Sequence, residues 1–263
     1  MTVALDLLRR VDPNPAAPPD RRAVRDWVLR RLYEGVFSGE FGPGVPLSEA
    51  DLANQLNVSR QPVRDAMRQL EADGLIAEAA GNGVRAVVAF ELHHVTEIYT
   101  LRAALEAVSF RAACDRITDE QLAALAQVQD QLESGLGLGE PAPGEWDAAP
   151  DFRFHEIVAE AAGMPQLHNF LVNIWLKTWA LLNQLQLAGT YPNRGEIADS
   201  YRSRRLLLDQ LRTRDGDGAA STVAAHVTAR MNQLVTAVDS GRGNFRFQPQ
   251  PTTQPSSRSG GAP

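Results

Sequence analysis

The stretch LSEADLANQLNVSRQPVRDAMRQLEADGLI, which runs from Leu47 to Ile76, decides the fold of the N-terminal part of the chain. It contains two short helical patterns separated by a break that is too tight for an ordinary loop. Apolar residues recur at helical spacing on both sides of that break. They are Leu52, Leu56 and Val58 on the first side, and Val63, Met67 and Leu70 on the second. This arrangement predicts a helix-turn-helix.

Both predicted helices have N-terminal signals. Ser48, followed three residues later by Asp51, forms a capping pattern for the first helix. Ser59 is placed to cap the second helix, and Pro62 falls within its first turn, where a missing N–H costs little. The stretch FSGEFGPGVPL, which precedes the first helix, is dense in Gly and Pro and is predicted to be a loop.

The polar face of the second helix carries a row of arginines. Arg60, Arg64 and Arg68 step four apart, so they form one basic ridge opposite the apolar seam. A major groove admits an α-helix, and arginine reads guanine N7 and O6 bidentately. Because its N-terminal end also carries Ser59 and Gln61, we interpret this helix as a recognition helix. The alternative is an amphipathic helix with solvated arginines, which a lone row of arginines would favour.

A β-hairpin is predicted directly after this helix. Gly74 ends the helix at a left-handed position, and strands are expected over residues 75–78 and 84–88, on either side of the turn Gly81-Asn82-Gly83. Gly83 permits close backbone approach, while Asn82 or Arg85 can reach a phosphate or a groove edge. A position straight after a recognition helix favours a DNA-contacting wing over a purely structural hairpin.

The segment VSRQPVRDAMRQLEADGLI resembles the winged helix-turn-helix of the GntR family of bacterial transcription regulators. The chain from about Arg21 to about Asp239 resembles the FadR-type branch, which has an all-helical C-terminal effector domain, the FCD domain. The resemblance implies a mainly α fold with a winged helix-turn-helix over residues 21–89 and an all-helical effector-binding and dimerisation domain over residues 90–240. Residues 1–20 and 241–263 are predicted to be a disordered arm and a disordered tail.

The hypothesis assigns DNA contacts to the two helices and the wing. The residues expected to contact DNA are Ser48, Ser59, Arg60, Gln61, Arg64, Arg68, Asn82, Gly83 and Arg85. A further helix is predicted from Arg21, with Trp27 on its apolar face. For the arginines on its other faces, phosphate contacts and plain surface charge are equally open. They are Arg21, Arg22, Arg25 and Arg30.

The composition fits a soluble globular protein. The 263 residues are 44% hydrophobic and 22% charged, and they suffice for one large or two ordinary domains. The net charge of −6 argues against a protein that coats nucleic acid non-specifically, but a local patch can still contact phosphates. Nine arginines accompany nine acidic residues from Arg21 to Arg85, which predicts a near-neutral module on an acidic protein.

The cellular context is also constrained. The single cysteine, Cys114, excludes an intramolecular disulfide and predicts a buried thiol in a reducing compartment. The chain has no apolar run of the roughly 20 residues that a membrane span needs, and its N-terminus lacks the pattern of a secretory signal. We therefore expect a cytoplasmic protein without a membrane partner.

The C-terminal part is predicted to be all-α. Residues 90–239 carry helical periodicity broken near residues 135–150, which predicts roughly six helices. LRAALEAVSFRAA resembles the first helix of the family's effector domain. Its Arg102 and Glu106 form either a surface salt bridge worth ~0.3–0.5 kcal/mol or, as the resemblance allows, a pair in which Arg102 points into the effector cavity. Small residues of this helix permit close packing, including packing across a dimer interface: Ala103, Ala104 and Ala107.

A candidate effector site draws on three helices. Asp151 and His155 lie four apart and project from one helical face, and His226 lies in the last long helix. In many members of the family that the chain resembles, an Asp and three His from these helices bind a divalent metal, which receives a carboxylate effector. Here Arg204 stands where the fourth ligand is expected, and a guanidinium has no lone pair to donate.

Three interpretations of this site remain open. Asp151, His155 and His226 can hold a divalent metal (Zn, Ni or Mn), although a fixed positive charge would repel it by several kcal/mol at an effective dielectric of about 20. Arg204 can instead replace the metal, so that no cofactor is required, by pairing with Asp151 and binding the effector carboxylate directly with Arg102 nearby. Alternatively, Arg204 faces solvent, Arg205 or Ser203 turns inward and the pocket is apolar. We favour the second interpretation.

These features together predict a homodimeric, ligand-responsive transcription regulator, more often a repressor than an activator in the family it resembles. Its partners would be double-stranded operator DNA with an inverted repeat and a small carboxylate effector. One alternative is a metal-dependent enzyme that uses the Asp151, His155 and His226 cluster. The chain lacks a nucleophile motif and a Gly-rich phosphate cradle, which disfavours an enzyme. Another alternative is a DNA-binding regulator without an effector.

Overall fold

The computed structural model describes residues 21–79, 83–135, 149–190 and 193–239. The predicted disordered arm and tail lie outside these ranges. Within these ranges, the N-terminal part contains three helices and a small sheet. Its elements are α1 (Arg21–Ser38), β1 (Pro46–Leu47), α2 (Glu49–Gln55), α3 (Arg60–Ala72), β2 (Ile76–Ala79) and β3 (Val84–Val87).

The helix-turn-helix forms as its sequence predicts. The Ser48 hydroxyl accepts a hydrogen bond from the Asp51 backbone N–H at 3.3 Å and caps α2. Asn57 adopts a positive φ of 52°, which allows the tight turn between the helices. Ser59 occupies the N-cap position of α3, but its side chain makes no capping hydrogen bond, so the predicted cap is only positional.

The buried seam of α3 fixes which of its faces remains exposed. Val63, Met67 and Leu70 are fully buried against α1, each contributing about 1.5–3 kcal/mol of hydrophobic stabilisation. The helix ends where predicted, because Gly74 adopts a left-handed φ of 71°. The arginine-bearing face therefore points away from the core.

The sheet has the antiparallel strand order β1-β3-β2. Strands β2 and β3 form the predicted hairpin, with Ile76 opposite Val87. The expectation that residues 37–47 are all loop is wrong at both ends, because Phe37 and Ser38 belong to α1 and Pro46–Leu47 pairs with β3 as strand β1. Pro46 lacks an N–H, and an edge strand tolerates that loss. Residues 80–82 at the tip of the hairpin, which include Asn82, lie outside the described ranges.

Six helices form the described residues of the C-terminal part, as predicted. They are α4 (Leu92–Cys114), α5 (Asp119–Gly135), α6 (Ala149–Ala161), α7 (Pro165–Leu187), α8 (Arg194–Arg212) and α9 (Gly216–Asp239). Helices α4 and α9 pack along each other, and Cys114 is buried as expected. Trp175, Phe110 and Phe152 fill the centre of this helical core.

Helix α7 connects the helical core to the DNA-binding part. Its Trp179 ring stacks on Phe37 of α1 with 4.6 Å between ring centroids. Farther along α7, Gln184 is hydrogen-bonded to the segment that joins β3 to α4. Across the ranges that the structure describes, no helix combines the length and apolar character needed to cross a membrane.

Candidate functional site

The outer face of α3 presents the predicted row of arginines. Arg60 and Arg68 are exposed, and within the described ranges neither forms an ion pair. Gln61 is also exposed, and its amide donates to Asp65 at 3.0 Å. Arg64 is half-buried between these two ends of the row. Within the described ranges, Arg60 and Arg68 at the two ends of the row therefore have no ion-pair partner, whereas Arg64 in the middle has one.

Two carboxylates anchor the middle of this surface. Arg64 donates through Nε to Glu49 at 2.9 Å, and Glu49 is the first residue of α2. Arg85 of β3 donates through Nε to Glu71 at 2.9 Å and through Nη1 to Glu49 at 3.5 Å. The predicted wing arginine is thus tied to both helices of the helix-turn-helix. Sequence reasoning missed Glu49 and Glu71, because contacts 14, 15 and 36 residues apart leave no periodic signal.

The remaining predicted DNA contacts lie around this network. Ser48 and Ser59 are exposed, although the Ser48 hydroxyl is engaged as a cap. Gly83 is exposed with a φ of 76°, and no atom lies within 4 Å of where a Cβ would be, so its backbone can be approached closely. Arg25 on α1 is exposed as well. The DNA contacts themselves stay predictions.

A second cluster of charged residues lies inside the helical core. Glu106 is at its centre: Oε1 accepts from Arg102 Nε at 2.6 Å and from Trp175 Nε1 at 2.9 Å, and Oε2 lies 2.7 Å from His155 Nδ1. All four side chains are buried. The alternative of an Arg102–Glu106 pair on the surface is therefore wrong. Burial raises the pKa of Glu106, but Arg102 and His155 outweigh it and hold that pKa well below its usual range.

Arg204 belongs to the same interior. Its side chain is 2% exposed and pairs with Asp151, which joins α8 to α6 as predicted. The alternative in which Arg204 faces solvent is wrong, since it is Arg205 that lies at the surface, paired with Asp130 and Glu133. Burial and the neighbouring positive charges lower the pKa of Arg204 to about 9, so the group remains protonated at neutral pH.

Two histidines, His155 and His226, belong to the same buried cluster. The rings of His155 and His226 stack with 5.8 Å between centroids. Burial, with a further contribution from Arg204, lowers the pKa of His226 well below its usual value, so His226 is neutral at pH 7. Of the remaining histidines, His93 is exposed and His94 accepts from the Glu91 backbone N–H at 2.9 Å, as the start of α4 requires.

The arrangement of these side chains does not fit a divalent cation. Asp151 is held by Arg204, and His155 Nδ1 is held by Glu106. Within the described ranges, no three His, Cys, Asp or Glu side chains converge on a point where a metal ion can bind. A protonated guanidinium beside the carboxylate would also repel the ion.

The interior instead has hydrogen-bonding capacity for a polar molecule. The buried atoms Arg204 Nε and His155 Nε2 have no hydrogen-bond partner among the described residues. Each such group costs about 1–3 kcal/mol when unsatisfied. Tyr99 and Arg230 lie beside Arg102, and sequence reasoning missed both. Arg230 was detectable, since it follows His226 by one helical turn.

A winged helix-turn-helix joined to an all-helical domain with a buried charged interior defines a DNA-binding transcription regulator with a sensor domain. Residues 25–85 match the family described as "Bacterial regulatory proteins, gntR family", and residues 97–229 match the FCD domain. The chain therefore belongs to the GntR family and fits its FadR-type subfamily, as the resemblance implied.

Relatives align with this chain over most of their own length. The uncharacterised HTH-type transcriptional regulator YdhC of Bacillus subtilis is 27% identical over 216 residues, which cover 81% of this chain and 92% of YdhC. The HTH-type transcriptional repressor NanR of an Enterobacter species is 26% identical over 250 residues, covering 87% and 89%. The structure of Escherichia coli McbR/YncC has a TM-score of 0.68 at 23% identity, covering 81% and 98%, and shares the fold. The matched families and the two relatives point to a DNA-binding transcription regulator rather than an enzyme.

Proposed function

We propose that the protein is a homodimeric repressor whose operator binding is controlled by a small organic acid, bound directly by arginine side chains inside the helical domain. The observation that carries the proposal is the buried Arg204–Asp151 pair, which stands where a metal ligand would otherwise be expected. A guanidinium binds a carboxylate bidentately, so it can take over the anchoring role of a metal ion.

The charges of the interior support an anionic ligand. Three guanidinium groups lie close together: Arg102 and Arg230 help to lower the pKa of Arg204, and Arg102 helps to lower that of Arg230, after burial as the main cause in both. Arg102 and Arg204 are paired with Glu106 and Asp151, while Glu196 and Glu133 also act on Arg230 and Arg204. A ligand carboxylate that replaces Asp151 would therefore meet guanidinium groups in place of a carboxylate that is already there.

Asp151 is the carboxylate that a ligand can displace. Its side chain is 20% exposed, whereas Glu106 is 1% exposed and held on two sides by Arg102 and His155. On binding, the ligand carboxylate takes the place of Asp151 on Arg204, and Asp151 turns toward water. The unpaired Nε of Arg204 supplies a further donor.

Isothermal titration in chelator-treated buffer tests this exchange. The ligands are a panel of aliphatic carboxylates, hydroxy acids and sugar acids. We expect one class to bind without metal, Arg204→Met to lose at least about tenfold in affinity, and Arg205→Met to match the wild type, because Arg205 is a surface residue. Binding that requires an added divalent ion, or equal losses in both variants, would overturn the proposal.

The sign of regulation and the chemical class draw on the relatives. Several are named as repressors, including NanR and the gluconate operon transcriptional repressor of Bacillus licheniformis, which is 23% identical over 197 residues. Gluconate is a carboxylate, which supports an organic acid as the effector.

Selection of operators from random duplexes should return inverted repeats, and a reporter should be derepressed by the acid that binds. Single half-sites, or operator affinity indifferent to every acid tested, would contradict the homodimer or the effector respectively.

A further inference from the structure

Glu49 contacts two of the arginines that are predicted to bind DNA, Arg64 and Arg85. Its Oε2 accepts from Arg64 on α3, and its Oε1 lies 3.5 Å from Arg85 Nη1 on the wing strand. Glu49 is itself the first residue of α2, so one carboxylate joins the three elements of the winged helix-turn-helix. Only 24% of its side chain is exposed, whereas 43% of Arg64 is exposed.

The edge of the Arg64 guanidinium that Glu49 occupies is informative. Glu49 accepts from Nε, and the outer edge formed by Nη1 and Nη2 makes no hydrogen bond within the described ranges. That outer edge can donate to guanine N7 and O6 in parallel. A guanidinium held at Nε also has fewer orientations to lose when it meets a base, so the contact depends more sharply on the base being correct.

We propose that Glu49 is a specificity-determining positioning residue, which fixes the Arg64 guanidinium for base reading and locks the wing strand against the recognition helix. The inference rests on the proposed role of Arg64 as a base contact. The Glu49 carboxylate also repels nearby phosphates, so it lowers affinity for all DNA while it increases discrimination between sequences.

A purely structural role for Glu49 makes a different prediction. An acid in the first turn of α2 stabilises the helix dipole, and that alone would explain a glutamate here. Asp51 lies in the same turn and carries the same charge, is exposed, and forms no ion pair within the described ranges. Asp51→Asn is therefore a matched control, which removes an equal charge without touching an arginine.

The test uses fluorescence anisotropy with the full-length protein and operators selected by the wild type. Arg64→Ala first identifies the base pair at which discrimination is lost. We expect Glu49→Ala to lower discrimination at that base pair by about fivefold or more and to raise affinity for unrelated DNA. Asp51→Asn should raise affinity for unrelated DNA alone. Adding Glu49→Ala to Arg64→Ala should change discrimination no further.

The outcomes separate the two proposals. Glu49→Gln keeps the size and a neutral acceptor, so it should lose less discrimination than Glu49→Ala, and it replaces that variant if the alanine form does not fold. If Glu49→Ala behaves like Asp51→Asn while Arg64→Ala relaxes specificity, the positioning role is wrong and the base contact stands; the same holds for Glu49→Gln where it replaces an alanine form that does not fold. If Arg64→Ala weakens binding equally on all sequences, the base contact itself fails.

Discussion

The side-chain amide of Gln184 is hydrogen-bonded to the backbone of Phe90 and so joins the sensor helix α7 to the segment that enters α4. Gln184 Oε1 accepts from the Phe90 N–H at 3.1 Å, and Gln184 Nε2 donates to the Val88 carbonyl at 2.8 Å. Trp175, on the same helix, donates to Glu106 in the charged interior. One continuous helix thus contacts both the candidate effector site and the linker to the DNA-binding part.

Replacing Gln184 with Met should destabilise the protein and weaken the response of operator binding to effector. The change leaves two backbone groups of the linker without a side-chain partner, at a cost of about 1–3 kcal/mol for each that stays buried. Urea unfolding measures the stability, and the ratio of operator affinities with and without ligand measures the coupling.

Gln186→Met is the matched control for this substitution. Gln186 lies on the same helix, and its side chain makes no hydrogen bond within the described ranges. It should leave stability and coupling near wild type. If Gln184→Met keeps the full effector response, α7 does not transmit the signal through this contact.

The parts of the structure that were predictable are those encoded by local pattern. The apolar seam of α3, the Ser48 cap and the left-handed Gly74 are all set by residues within a few positions of one another. The six helices of the sensor domain follow in the same way from periodicity.

The unpredicted features depend on partners distant in sequence. Strand β1 exists only because β3 offers an edge for pairing. The spacing of Arg102 and Glu106 suits a surface pair and a buried pair equally, and burial decided between them. Trp175 reaches Glu106 across 69 residues, a contact that only the assembled core creates.

Placing a histidine at position 204, where the fourth metal ligand is expected, should create a metal site. Arg204→His removes a buried positive charge, which repels a divalent ion by several kcal/mol at an effective dielectric of about 20, and adds an imidazole near Asp151, His155 and His226. Calorimetric titration with Zn²⁺ or Ni²⁺ should show affinity at least about tenfold above that of the wild type.

Two controls distinguish a built site from loss of charge alone. Arg204→Met removes the charge without adding a ligand, and Arg205→His adds an imidazole at the surface; neither should match Arg204→His. If the wild type binds the ion as tightly as Arg204→His, the expectation that Arg204 opposes metal is refuted.

An exposed apolar stripe on α4 should form the dimer contact. Leu101 and Val108 are 46% and 48% exposed, and the exposed Ala104 lies between them on the same face. Ala103 and Ala107, also predicted to pack there, are half-buried.

Leu101→Asp should shift the protein toward monomer in light scattering and weaken binding to the paired half-sites. Leu206→Asp is the matched control, since Leu206 is 50% exposed on α8; a Leu101→Asp protein that stays dimeric would place the interface elsewhere.

The ion pair between α5 and α8 should contribute stability that disappears in acid. Hydrogen bonding from Arg205 is the main reason that the pKa of Glu133 is lowered to about 2. Because the folded-state pKa lies below the unfolded value of about 4.3, the unfolded chain binds the proton more readily. The stabilisation is therefore complete above about pH 5 and is lost as the pH falls toward 2.

Glu133 and Arg205 are both partly exposed, so solvent screening limits the contribution to about 1 kcal/mol or less. Urea unfolding of wild type, Glu133→Gln, Arg205→Met and the double variant should give a coupling free energy near pH 7 that shrinks near pH 3. A coupling that is constant across that range would show that Glu133 and Arg205 do not interact through the charge of the carboxylate.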